Sequence, residues 1–96
     1  MTFIWSKTAR EEYRDAIRWY EEASQGLGER FSRLLGDVLG QIAENPSRFP
    51  FSRHGARRAR IKRFPYCVHY VERQDKIVIV AVFHEKRDPE QLKDRH

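Results

Sequence analysis

Cationic and histidine side chains in the second half of the chain have the types and spacing that phosphate chemistry requires. Arg58, Arg60 and Lys62 occupy alternate positions, so a β-strand there would place all three on one face, within reach of a phosphate. His84 and Arg87 follow later in the chain. Because a histidine exchanges a proton near neutral pH, these residues can supply the base, the acid and the cations that cleavage of RNA by its own 2′-hydroxyl needs.

The positive charge of the chain lies mostly in one stretch. The net charge is +5, yet residues 46–73 alone hold eight Lys or Arg against one Asp or Glu, a net of +7. Such concentrated charge attracts an anionic partner, for which nucleic acid, an acidic protein segment and anionic lipid are the alternatives. The other interpretation is a solvated face that only keeps the protein soluble.

Length and composition set the class of protein. A chain of 96 residues with 40% apolar residues is enough for one domain, residues 1–96, with a small core. Cys67 is the single cysteine, so neither an intrachain disulfide nor a metal site of several thiolates can form, and we expect no metal and no cofactor. We find no apolar signal region and no bilayer-spanning run, so we expect a soluble cytoplasmic protein without membrane contact.

The N-terminal part of the chain predicts a short strand followed by a helix. Residues 3–5 are apolar, and Thr8 and Glu11 then have the spacing of a capping box. Apolar residues recur at intervals of three and four as far as Gly26, a residue suited to the left-handed conformation that ends a helix. Trp19 lies near the apolar face of this helix, so we expect it in the core.

A second helix is predicted by an unbroken apolar stripe from Phe31 to Ile42. It should end before Pro46, because a residue that precedes proline resists the α conformation. Two helices joined by so short a link form an antiparallel hairpin. The chain from Pro46 to Gly55 is expected to be a loop.

After this loop the apolar residues alternate, which predicts β-strands over residues 58–62, 66–71 and 77–83. The last strand is apolar at every position and should be central or covered on both faces. The predicted fold is α+β with the order β-α-α-β-β-β: an N-terminal strand, an antiparallel helical hairpin and a three-stranded antiparallel meander. We expect an open sheet face beside the basic strand and a frayed tail at residues 90–96. The neighbour of the first strand is left open.

Several segments, in this order, give the chain a resemblance to the RelE/ParE toxin superfamily over nearly its whole length. They are AIRWYE at residues 16–21, GLGERF at 26–31, IAENP at 42–46, RFP at 48–50, RIKRFPY at 60–66, AVFH at 81–84 and RDP at 87–89. The resemblance implies the toxin of a type II toxin–antitoxin pair. RelE-like members cut messenger RNA in the ribosome, whereas ParE-like members act on DNA gyrase, and a third group is known only as plasmid-stabilisation proteins.

The segments WYE at residues 19–21, GLG at 26–28 and HEKRDP at 84–89 resemble the ParE branch more closely, and two departures from the RelE pattern weigh against a ribonuclease. RelE-like ribonucleases usually have an arginine after the tyrosine that opens the third strand, whereas Tyr66 is followed here by Cys67. They also tend to have a tyrosine near the C-terminus, and no tyrosine follows Tyr70. We therefore favour a growth-arresting toxin that binds and inhibits DNA gyrase without a catalytic site. A cognate antitoxin with an acidic C-terminal segment would neutralise it in a hetero-oligomer.

Three alternatives stay open. One is a RelE-like, ribosome-dependent and metal-independent endoribonuclease that acts on mRNA, with His84, Arg60, Lys62 and Arg87 as catalytic residues. Another is a degenerate, non-toxic module that only binds the antitoxin, and the last is a plain nucleic-acid-binding protein. The predicted contacts with target or antitoxin are Arg57, Arg58, Arg60, Lys62, Arg63, Tyr70, His84 and Arg87.

Overall fold

Short strands and one helical hairpin make up the fold. The computed structural model describes residues 2–96. Its elements are β1 (Thr2–Trp5), α1 (Lys7–Ala23), α2 (Leu27–Glu44), β2 (Arg57–Arg60), β3 (Tyr66–Arg73) and β4 (Lys76–His84). Single turns of 3₁₀ helix lie at Pro46–Arg48 and Pro89–Leu92. The predicted α+β class and the order of its elements are confirmed.

The four strands form one sheet in the order β1-β4-β3-β2. β1 runs parallel to β4, with Thr2 opposite Lys76 and Trp5 opposite Ile79, and the other pairs are antiparallel. The neighbour of β1, which the sequence left open, is therefore β4. Because β1 ends at Trp5, the same edge of β4 has no strand partner beyond Ile79. The apolar residues of β4 are buried on both faces of the sheet, as predicted.

The hairpin lies on one face of the sheet and buries its apolar stripe there. The fully buried residues of this core include Phe31, Leu35 and Ile42 of α2 with Tyr70 and Ile79 of the sheet. Close contact between the helices depends on Gly28, since a Cβ at this position would lie 2.7 Å from the carbonyl oxygen of Ile17. A side chain larger than hydrogen would therefore push α2 away from α1.

The start of α1 differs from the prediction. Its N-cap is Ser6, whose hydroxyl accepts a hydrogen bond from the backbone N–H of Ala9 at 3.1 Å. Thr8 lies inside the helix, so the capping box predicted for Thr8 and Glu11 is wrong. Ser6 has the extended backbone that an N-cap requires, with φ −65° and ψ 157°.

The link between the helices is fixed by the side chain of Glu21. One carboxylate oxygen accepts from the N–H of Gly26 at 2.9 Å and the other from the N–H of Gly28 at 3.0 Å. These donors belong to the first turn of α2, where backbone N–H groups have no partner within the helix. Gly26 adopts the predicted left-handed conformation, with φ 88°.

The second face of the sheet is covered by the C-terminal segment, so the predictions of an open face and a frayed tail are wrong. The turn at Pro89–Leu92 places Leu92, which has no exposed surface, in a cluster with Val71, Val80 and Phe83. An apolar sheet face needs a cover, and here a single leucine next to a helical turn provides it. The polar composition of residues 90–96 conceals this role.

Candidate binding surfaces

Arg57 and Tyr70, both predicted to contact a partner, serve the fold instead. Arg57 donates to the carbonyl oxygen of Phe49 at 2.8 Å, pairs with Glu72 at 3.4 Å and lies 3.9 Å above the ring of Phe51. Tyr70 is fully buried, and its hydroxyl donates to the carbonyl oxygen of Pro46. Their inclusion among the contact residues is corrected, because both point to the helix-covered side of the sheet.

Arg58 and Arg60 lie on the second face of the sheet, and of the two only Arg60 has an acidic partner. The guanidinium of Arg60 pairs with Glu85 at 2.9 Å, which raises the pKa of Arg60 and lowers that of Glu85. Arg58 is exposed, and its guanidinium has no hydrogen bond or ion pair among residues 2–96. The predicted three-cation strand face is therefore reduced to Arg58 with a neutralised neighbour.

Lys62 and Arg63 do not extend that strand, because β2 ends at Arg60. They lie in a tight turn that the N–H of Ile61 closes by donating to the carbonyl oxygen of Tyr66 at 2.9 Å. Arg63 adopts a left-handed φ of 69° in this turn. Both side chains are exposed. The strand predicted over residues 58–62 is thus two residues too long at its end.

The four residues proposed for RNA cleavage do not form one constellation. Arg60 is paired with Glu85 and Lys62 lies in the turn, whereas Arg87 donates to Glu12 at 3.0 Å. His84 Nδ1 accepts from the backbone N–H of Lys86 at 3.1 Å. His84 does lie beside Tyr66, with 5.6 Å between ring centroids, and burial raises the pKa of that tyrosine.

His69 and Cys67 lie beneath the cations of the second face. His69 is only 2% exposed, its ring lies 4.6 Å from that of Phe83, and its Nδ1 has no hydrogen-bond partner within residues 2–96. Burial, and then the charges of Arg58 and Arg95, lower its pKa to about 4. Burial raises the pKa of Cys67, so its thiol stays protonated. Both residues are structural.

Glu12 is the acceptor that joins α1, β4 and the tail. Its carboxylate accepts from the backbone N–H of Val82 at 3.1 Å, from Arg87 at 3.0 Å and from Arg95 at 2.9 and 3.1 Å. Arg95 also donates to the carbonyl oxygen of Val80. The side chains of Glu12 and Arg95 thereby bind backbone N–H and C=O groups of β4 beyond the end of β1. This occupied edge is protected from pairing with strands of other chains.

A cavity of about 500 Å³ lies beside this cluster, between α1 and the ends of β3 and β4. We call it the aromatic cavity; its lining includes Trp19, Tyr20, Pro65, Tyr66 and Phe83. Trp19 is 62% exposed and meets Tyr20 edge to face at 5.1 Å, so the prediction that Trp19 belongs to the core is wrong. The helical period placed it only near the buried stripe, and it lies at the cavity's rim.

A second cavity of about 380 Å³, the basic cavity, adjoins the first. It is lined by Tyr20, Leu27, Arg30, Arg63, Phe64 and Pro65. Tyr20 and Pro65 line both cavities, so the two are adjacent, and we call the pair the seam groove. Arg30 is exposed and was not among the predicted site residues, because a single arginine on a helix gives no signal in the sequence.

Neither a metal site nor a membrane span is found in the part of the chain that the structure describes. Residues 2–96 hold no group of three or more His, Cys, Asp or Glu side chains arranged to bind a metal ion. In the same residues, no helix has the length and apolar character needed to cross a membrane.

The fold and the seam groove define a small α+β binding domain, and comparisons with known proteins give its family. A solved structure entitled "Chromosomal ParDE TA system from P. aeruginosa" superposes with a TM-score of 0.62, covering 88% of this chain and 95% of that chain at 16% identity. A family model described as "ParE toxin of type II toxin-antitoxin system, parDE" matches residues 3–89. The chain therefore belongs to the ParE toxin family. No curated protein sequence matches it.

Proposed function

We propose that this chain arrests growth by binding and inhibiting DNA gyrase, and that a cognate antitoxin neutralises it in a cytoplasmic hetero-oligomer. Its membership of the ParE toxin family carries the proposal, since the sequence matches that family over residues 3–89. The geometry supports inhibition by binding. Arg60 and Arg87, the arginines that RNA cleavage would need, are each paired with an acid of the chain itself.

The target-facing surface that we propose consists of Arg58 on β2 and Lys62 in the turn that follows it. Arg58 and Lys62 are exposed and have no acidic partner among residues 2–96. Gyrase acts on DNA, whose phosphates attract such cations over several ångströms. The unpaired cations therefore suit a complex that contains both gyrase and DNA.

Gyrase supercoiling measured alongside transcript integrity tests this function. We expect the purified chain to inhibit supercoiling of relaxed plasmid by gyrase, and cells that express it to stop growing with their transcripts intact. The double variant Arg58→Ala/Lys62→Ala should inhibit gyrase about tenfold less, as loss of two cation–phosphate contacts implies. Arg14→Ala/Arg33→Ala removes the same charge from the helices and is the matched control. Equal inhibition by both double variants would refute the assigned surface.

The ribonuclease remains a second candidate because of one observation, the pair of Tyr66 and His84 at the aromatic cavity beside Arg87. A tyrosine, a histidine and an arginine can together protonate a leaving group and stabilise a phosphorane. Cut transcripts with normal supercoiling would establish this reaction and exclude gyrase inhibition. If expression leaves growth unaffected, the degenerate antitoxin-binding module becomes the correct interpretation.

A further inference from the structure

We propose that the seam groove binds the cognate antitoxin in one direction, with apolar side chains in the aromatic cavity and carboxylates at Arg30 and Arg63. This inference rests on the proposed neutralisation by an antitoxin, but it does not depend on the target being gyrase. It concerns a different surface from Arg58 and Lys62. Three observations support it: the exposure of Trp19, the unequal pairing of charges along the groove, and the adjacency of its two cavities.

The aromatic cavity exposes an apolar side chain that a partner would stabilise by burial. Trp19 is 62% exposed beside a cavity whose floor contains Tyr66 and Phe83. The other large exposed apolar residues differ, because Phe51 is covered by the guanidinium of Arg57 and Ile4 lies on the second face of β1. Tryptophan at the edge of a pocket is the residue type that most often dominates protein–protein binding.

The arginines of the groove are paired with acids at one end and are unpaired at the other. At the aromatic cavity, Glu12 already binds Arg87 and Arg95, and Asp15 pairs with Arg18 at 3.3 Å. In the basic cavity, neither the guanidinium of Arg30 nor that of Arg63 has a hydrogen bond or ion pair among the residues described, 2–96. An acidic group is therefore attracted more strongly to the basic cavity, whose lining contains no acid, and this gives the occupant a direction.

The shape of the groove favours a segment of protein over a small ion or metabolite. Two cavities of about 500 and 380 Å³ that meet at Tyr20 and Pro65 can take several side chains in succession. A small acid would fill only the basic cavity and leave Trp19 exposed. A protein segment that is apolar first and acidic afterwards covers both, and a type II toxin has a protein partner of its own.

The test uses the full-length protein encoded by the reading frame adjacent to that of this chain, purified, as the probe. Its affinity for the wild-type chain is compared with that for Trp19→Ala and for Arg30→Glu/Arg63→Glu by titration calorimetry. We expect binding about 30-fold weaker for the first variant and about 100-fold weaker for the second. Phe51→Ala and Arg14→Glu/Arg33→Glu are the matched controls and should bind within about threefold of wild type. Circular dichroism melting verifies that each variant folds.

The direction is tested by changing the probe as well. Replacing the acidic residues of the antitoxin's C-terminal segment by their amides should weaken binding to the wild-type chain and strengthen binding to Arg30→Glu/Arg63→Glu. Such opposite changes arise only if carboxylates lie at these arginines. Weakening of both to the same extent would overturn the direction. Unaltered affinity in both groove variants would overturn the docking site.

Two further outcomes separate this inference from the proposed function. If the wild-type chain alone sediments as a dimer that Trp19→Ala dissociates, the groove is an interface between copies and the inference is wrong. If the groove variants lose antitoxin affinity but the wild-type chain leaves supercoiling unchanged, the inference stands and gyrase inhibition fails. The inference also predicts that cells expressing a groove variant stop growing even when the antitoxin is co-expressed.

Discussion

The two most cationic parts of this molecule use their charge in opposite ways. β2 holds three arginines in four residues, but Arg57 and Arg60 are engaged by Glu72 and Glu85. The basic cavity is built from Arg30 on α2 and Arg63 in the turn after β2, and neither has a partner among residues 2–96. Charge density along the chain therefore does not show where charge is available to a partner.

The difference follows from the sheet. A strand brings its side chains next to those of its neighbours, so acids at the ends of β3 and β4 come within reach of the arginines of β2. The turn and the outer side of α2 lie beyond those acids. Arginines inside the sheet's network stabilise the fold, whereas those at the basic cavity contribute charge that only a partner can neutralise.

The largest effect is expected where two arginines depend on one partly buried acid. Glu12→Ala leaves Arg87, Arg95 and the N–H of Val82 without their acceptor, and removing one partner of such a network costs about 4 kcal/mol of unfolding free energy. Asp15→Ala, which breaks an exposed pair on the same helix, should cost less than about 1 kcal/mol. Urea denaturation of both variants measures the difference. Similar losses in the two would show that the tail is not held by Glu12.

A second prediction concerns the second face, where His69 lies uncharged beneath Arg58 and Arg95. Because burial and these arginines lower its pKa from 6.5 to about 4, the unfolded chain binds the proton more readily than the folded one. The stability that this group confers is thus complete above pH 6.5 and is lost as the pH falls towards 4, by about 3 kcal/mol in total.

His69→Leu should remove this part of the pH dependence. The wild type and the variant are compared by melting temperature between pH 7 and pH 4, and the melting temperature of the wild type should fall more steeply with pH than that of the variant. Carboxylates also titrate in this range, but they do so in both proteins and cancel in the comparison. Parallel curves would mean that His69 is solvated in solution.

A third prediction divides neighbouring arginines of β2. Arg57→Ala should destabilise the fold by about 2 kcal/mol. It removes the guanidinium that donates to the carbonyl oxygen of Phe49 and packs on the ring of Phe51. Arg58→Ala should change stability by less than about 0.5 kcal/mol but reduce toxicity. Thermal melts and growth assays on the two variants check the pair. Toxicity that survives in folded Arg58→Ala would contradict its place on the target-facing surface.

The sequence predicts the elements of this fold better than the uses of its side chains. The apolar stripe from Phe31 to Ile42 and the uniformly apolar β4 were predicted correctly, because their apolar positions all indicate the same secondary structure and the same buried location. Leu92 and Glu12 gave no such signal, because one leucine in a polar tail and one acid on a helix acquire their roles from distant segments. Trp19 was misassigned because a helical period specifies a stripe only to within one neighbouring position.

The smallest effect on stability is expected at the basic cavity. Arg30→Ala/Arg63→Ala should leave the free energy of unfolding within about 0.5 kcal/mol of wild type, because neither guanidinium has a partner to lose among residues 2–96. If the two cations repel each other, the double variant should be slightly more stable than wild type in low salt, and added NaCl should abolish that gain by screening. The measurement is thermal melting with and without 0.5 M NaCl, with Arg57→Ala as the comparison. A loss as large as that of Arg57→Ala would mean that the arginines of the basic cavity also hold the fold together. The charge left for an antitoxin would then have to lie elsewhere on the molecule.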